Sequence, residues 1–186
     1  MCEVLAELEK TVQELRKPID AAAIGRQMQE TVAETAPKAS LAAYLSVETL
    51  VPRLSATNKS EAIEELLQEL RRKGYIRNIE MAREAVWTRE KSMSTGMQYG
   101  IAIPHGRTDA VNGLVCAVGL SPEGIPFESI DGQPSTIIAL ILSPLSSATP
   151  YMQFMSMFSQ VLDEKGRREI LSCESAQAMY RVLART

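Results

Sequence analysis

The one histidine of the chain, His105, stands in the stretch GIAIPHGR, between a proline and a glycine. A histidine side chain titrates near pH 6.5, so at pH 7 much of it is a neutral, nucleophilic imidazole. Arg107 follows two residues later, Arg89 precedes it in WTREK, and Ser94 and Thr95 lie between in the loop SMSTGMQYG. An imidazole with guanidinium groups, hydroxyls and backbone amides around it has the parts needed to accept and hold a phosphoryl group. In such a transfer the neutral nitrogen attacks in line, while cations and donors balance charge on the equatorial oxygens. Arg89, Arg107, Ser94 and Thr95 are the candidates for that second role. Positive neighbours suit an anion and are poor company for a metal ion. Pro104 fixes its own φ and Gly106 lets backbone approach the ring, which predicts a rigidly displayed His105 at a strand end, where ligands of α/β proteins sit. The competing reading makes His105 a turn residue satisfied by backbone groups, and pairs the two arginines with surface carboxylates such as Glu84 and Glu90.

The elements that must position these groups are legible from periodicity. Leu50 to Leu54 reads as a short edge strand containing a proline. Asn58, with Glu61 three residues on, starts a helix whose stripe is Ile63, Leu66, Leu67 and Leu70 and which ends at Gly74. A second helix, Ile79 to Glu90, turns Ala82, Ala85 and Val86 inward, and a polar loop then leads into Ile101-Ala102-Ile103. Leu114 to Gly119 and Thr136 to Leu142 read as strands, the second apolar on both faces and therefore central, with SPEGIPFESIDGQP between them as turns. Tyr151 to Leu162 is a helix placing Met152, Met155, Phe158 and Leu162 on one face, and Ser175 to Leu183 is a last amphipathic helix. Helices before, between and after a few strands predict an α/β fold, a three-layer α/β/α sandwich on a mixed sheet.

Composition removes several function classes. A net charge of −3 with scattered basic residues gives no footprint for nucleic acid, and no phosphate-binding Gly-rich loop or serine nucleophile elbow is present. The three cysteines are far apart and without close pairs, so neither a disulfide framework nor a metal centre is expected, and no cofactor is implied. The clean apolar run Ile137 to Leu142 is too short to cross a bilayer, and MCEVLAELEK is too acidic for a signal peptide. The expected location is cytoplasmic, without membrane insertion. The sequon Asn58-Lys59-Ser60 is then better read as helix-start chemistry.

REKSMSTGMQYGIAIPHGR, followed by FESIDGQP, an apolar strand and LSP, resembles the enzyme IIA domain of the bacterial phosphoenolpyruvate-dependent phosphotransferase system, of the fructose/mannitol and nitrogen-regulatory type. The likeness runs from about Leu45 to the C-terminus and implies the mannitol-type enzyme IIA fold. It implies phosphorylation of His105 by an HPr-type phosphocarrier, with Arg89 lying against the histidine and favouring the phosphorylated form. It also implies that Thr95, Gly96 and Gly100 belong to the loop that shapes the pocket. An enzyme IIB domain, or a regulated protein such as a transporter or kinase, is the implied onward partner. The stretch around Phe127, Ile130, Asp131 and Gln133 resembles the nitrogen-regulatory branch more than the sugar-transporting one. One position departs from the family pattern: Tyr151 stands where a second histidine usually lies. Its hydroxyl can donate to a phosphoryl oxygen but carries no positive charge near neutral pH.

Residues 1–40 are expected to form a helical arm and linker, with a stripe of Leu5, Leu8, Val12, Leu15 and Ile19, and residues 41–186 the enzyme IIA domain. The arm allows a homo-oligomer or a fold-back onto the domain. Two alternatives to a phosphoryl-accepting regulator remain open: a binding-only signalling module of the same fold, and the regulatory domain of a membrane transporter.

Overall fold

A strand apolar on both faces must be covered on both, and STIIALILS at residues 135–143 lies in the middle of a sheet with helices on either side. The computed structural model describes residues 40–146 and 149–185, so the expected arm falls, except for Ser40, outside the described residues. In chain order the elements are β1 (Leu50–Val51), α1 (Lys59–Arg72), α2 (Ile79–Ser92), β2 (Ile101–Ala102), β3 (His105–Arg107), β4 (Val115–Ile125), β5 (Ser135–Ser143), α3 (Thr149–Val161), α4 (Glu164–Leu171) and α5 (Ala176–Leu183). The sheet order is β1-β4-β5-β2, and β3 also pairs with β5. β4 and β5 run antiparallel, whereas β1 is parallel to β4 and both β2 and β3 are parallel to β5. The expected mixed sheet is therefore present.

Side-chain alternation along β5 sorts the core into two layers. Ile138, Leu140 and Leu142 pack with Ile63, Leu66, Leu67 and Val86 of α1 and α2. Ile137, Ala139 and Ile141 face Phe154 and Phe158 of α3, Ile170 of α4 and Met179 and Leu183 of α5. This is the α/β/α sandwich that the sequence predicts.

Local chemistry explains the helix starts. Asn58 Oδ1 accepts the Glu61 amide at 3.0 Å, while the Glu61 carboxylate takes the Thr57 amide and hydroxyl, one residue earlier than a standard capping box. Asn78 caps α2 by accepting the amides of Glu80 and Met81.

Several expectations need correction. The first strand is only Leu50–Val51, because Pro52 cannot continue the ladder; Leu54 rejoins it by one bond to the Leu120 carbonyl. Residues 121–125 are not turn but the end of β4, which reaches Ile125 through a register shift that accommodates Pro122 and Gly124. α4 went unanticipated because EKGRREIL is mostly charged and buries only Gly166 and Ile170. Met152 is 65 % exposed, not on the inner face, which centres on Phe154 and Phe158. No helix among the described residues is long and apolar enough to cross a membrane.

Candidate functional site

His105 lies not at the end of the apolar run but at the start of its own short strand. The ladder along β5 breaks at Ile103 and Pro104, where proline has no N–H to give, and resumes at β3 with His105 opposite Ile141. The Ile103 carbonyl accepts a hydrogen bond from His105 Nδ1 at 2.9 Å. That bond places the ring proton on Nδ1 and leaves the Nε2 lone pair facing outward. Arg89 Nε, at the end of α2, donates to Nε2 at 3.1 Å, and its Nη1 donates to the Met93 carbonyl at 2.8 Å. The Tyr151 ring of α3 packs near the imidazole, centroids 5.2 Å apart and tilted by 33°.

Gly106 allows α2 to come this close. A Cβ there would stand 2.9 Å from the backbone carbon of Ala85 and 2.9 Å from the Val86 nitrogen. The residue after the histidine is thus the contact that brings Arg89, one turn along the helix from Ala85, within reach of the ring.

Burial holds the His105 pKa below its usual 6.5, and the Arg89 charge pushes the same way; the Ile103 hydrogen bond and the Glu90 charge oppose them. The imidazole is therefore neutral at pH 7. Burial raises the Tyr151 phenol above its usual 10, so its hydroxyl remains a donor. Because the chain has one histidine, its imidazole NMR signals titrate without overlap. Their midpoint is expected below 6.5 and should rise in Arg89→Gln, which removes a repelling charge; a wild-type midpoint above 6.5 would contradict the desolvated placement.

A cleft of about 720 Å³ opens in front of the ring, lined among others by Thr88, Arg89, Ser92, Arg107 and Tyr151. Arg107 reaches across it to donate to the Leu145 carbonyl. The arginines do not pair with Glu84 or Glu90; both bond to backbone carbonyls.

Ser94 and Thr95 are a correction. Their hydroxyls do not line the cleft: Ser94 donates to the Phe127 carbonyl, and Thr95 donates to Glu90 Oε2 at 2.5 Å. The reason is Glu90 itself, a carboxylate only 6 % exposed that needs donors, and Lys59 Nζ supplies a further contact at 2.9 Å. Gly96 and Gly100 likewise lie in the loop, outside the cleft. A Cβ on Gly96 would meet the Phe127 carbonyl at 2.7 Å, and Gly100, at φ +73, turns its carbonyl to the amides of Thr136 and Ile137. Sequence reasoning missed Thr88 and Ser92 on the cleft wall, and Lys59 and Glu90 beneath the loop. A signal for Glu90 existed: it continues the four-residue spacing of the buried Ala82 and Val86.

These features define a class of protein: three-layer α/β sandwiches that display one neutral imidazole, paired with a guanidinium, at the rim of a mixed sheet. The chain belongs to the phosphoenolpyruvate-dependent sugar phosphotransferase system EIIA 2 family, whose model matches residues 43–186. It is 35 % identical over 127 residues to the fructose-specific EIIA component of Haloferax volcanii, covering 68 % of this chain and 82 % of that one. It is 30 % identical over 140 residues to the fructose-specific EIIABC component of Bacillus subtilis, covering 75 % of this chain but only 22 % of that longer protein. The crystal structure of nitrogen regulatory protein IIA-Ntr from Neisseria meningitidis superposes with a TM-score of 0.71 at 25 % identity, over 77 % of this chain and 98 % of that one.

Proposed function

We propose that His105 accepts a phosphoryl group on Nε2 from an HPr-type phosphocarrier, and that its phosphorylation state regulates other proteins. The observation that carries this reading is the Ile103–His105–Arg89 arrangement: one ring nitrogen fixed by a carbonyl, the other neutral and beside a guanidinium. In the transfer, the Nε2 lone pair forms the new N–P bond as the donor's bond to phosphorus breaks, and the proton stays on Nδ1, donated to the Ile103 carbonyl. Arg89, released from Nε2, and the Tyr151 hydroxyl then have the phosphoryl oxygens as acceptors. Arg107 adds positive charge across the cleft.

Membership of a family that includes nitrogen regulatory relatives supports a regulatory role, and an enzyme IIB domain is the candidate onward acceptor. Residues 41–186 would be the working domain and the cytoplasm its place. Incubation with phosphoenolpyruvate, enzyme I and the carrier should add the mass of one phosphoryl group, stable in base and lost in acid. No gain with any HPr-type carrier would overturn phosphoryl acceptance and favour the binding-only module.

A further inference from the structure

Beneath the site lies a buried polar cluster that touches neither the cleft nor the imidazole directly. Glu90 Oε2 accepts the Thr95 hydroxyl at 2.5 Å, and the Thr95 amide lies 3.2 Å from both carboxylate oxygens. Ser94 Oγ is 3.3 Å from Oε1, and Lys59 Nζ, reaching across from the start of α1, is 2.9 Å from the same oxygen. Lys59 also pairs with Glu128 at 2.7 Å and lies 5.6 Å from the centre of the fully buried Phe127 ring.

The cluster is joined to the reacting groups by two short routes. Along the first, the Thr95 carbonyl accepts the Ile103 amide at 3.0 Å, and the Ile103 carbonyl accepts His105 Nδ1 at 2.9 Å. Along the second, the loop that Glu90 grips begins at Met93, whose carbonyl holds the Arg89 guanidinium. The clamp on Thr95 is thus one restraint on the two carbonyls that orient the imidazole and its arginine, alongside the pairing of β2 and β3 with β5 and the Ser94 bond to Phe127.

We infer that Glu90, with Lys59 as its counter-charge, is a positioning residue of the phosphoryl site: through Thr95 it fixes the two backbone carbonyls that set the His105 tautomer and the Arg89 orientation. A bare structural role would require only that the loop be tethered. Here the tethered atoms are the ones in contact with the site, so a shift of a few tenths of an ångström at Thr95 reaches Nδ1 through two hydrogen bonds. Positional errors of that order are costly for in-line transfer.

The inference rests on His105 being the phosphoryl acceptor, and the experiment separates the two. In the full chain, Glu90→Gln keeps the side-chain shape, removes the charge and leaves Lys59 with the exposed Glu128 as its counter-charge. The nitrogen-15 shifts of the single imidazole, recorded without any carrier, are expected to show Nδ1–H alone in the wild type and a mixture of tautomers in the variant. The phosphoryl-transfer kcat is expected to fall about tenfold or more with little change in KM for the carrier. Lower thermal stability with tautomer and kcat unchanged would make Glu90 a tether only and overturn the inference. If Glu90→Gln does not fold, Thr95→Val, which deletes the hydroxyl donor alone, is read the same way: a mixed tautomer supports positioning and an unchanged one overturns it. A mixed tautomer in the variant together with a wild type that no carrier phosphorylates would support the positioning role while removing phosphoryl acceptance.

Discussion

His105→Gln is expected to abolish phosphoryl acceptance from the carrier while leaving the fold intact. The chain has no second imidazole to substitute, and the other groups close to Nε2 are a guanidinium and a phenol with a raised pKa, neither of which is a nucleophile at pH 7. Glutamine fits the site because its carbonyl oxygen can accept from Arg89 in place of Nε2. A stability measurement adds a second readout with a definite sign. The folded-state pKa of His105 is depressed, so as pH falls through the usual 6.5 the unfolded chain takes up a proton that the folded one refuses. That contribution lowers wild-type stability progressively in acid and levels off below the folded-state value. The difference in melting temperature should therefore move in favour of His105→Gln as pH is lowered from 7.5 toward 5. Retained phosphorylation in the variant, detected by mass, would show that the acceptor lies elsewhere.

Gly106→Val should damage both stability and transfer. The backbone at Gly106 has no positive φ, so a strand-forming residue is acceptable to the chain itself; the penalty is contact. Its Cβ would come within 2.9 Å of backbone atoms of Ala85 and Val86, and helix backbone cannot rotate aside as a side chain does. Either α2 moves off the sheet or β3 does, at a cost of about 3 kcal/mol. Arg89 travels with α2, so its 3.1 Å bond to His105 opens and the transfer rate falls even in the folded fraction. Thermal unfolding together with the single-turnover rate checks this. A variant that melts like the wild type and transfers at the wild-type rate would show that the helix does not need the glycine to reach the ring.

The nucleophile was legible in the sequence because its signal is local: the histidine, the proline and glycine around it and the nearby arginines lie within nineteen residues of one another, in REKSMSTGMQYGIAIPHGR. The central strand and the two amphipathic helices α1 and α2 were legible for the same reason, a repeating pattern inside one segment. What sequence alone misjudged depends on partners far along the chain. Ser94 and Thr95 look like anion ligands until the Phe127 carbonyl takes the Ser94 hydroxyl and the buried Glu90 takes the Thr95 hydroxyl and amide. Glu90 itself looks like a surface partner for an arginine until Lys59, from another helix, meets it below the loop. Pro122 and Gly124 carry the chemistry of a turn, and only the neighbouring β5 shows that they interrupt a strand without ending it. Met152 was misplaced because the helix is centred on Phe154, which packs edge-on against Tyr44 from the start of the described chain.

The break at Pro104 has a further consequence for how the molecule handles a large added charge. β3 is three residues long, bonded on one side only, to β5, and separated from β2 by Ile103 and Pro104, neither of which donates to the β5 ladder. Its other face is held by packing, with Gly106 seated against the backbone of Ala85 and Val86, whereas β5 is hydrogen-bonded on both sides and buried. His105 is thus mounted on a short tile clamped between a helix and the margin of a rigid wall. A phosphoryl group added to its Nε2 faces the cleft, and the change need not propagate into the core that keeps the fold.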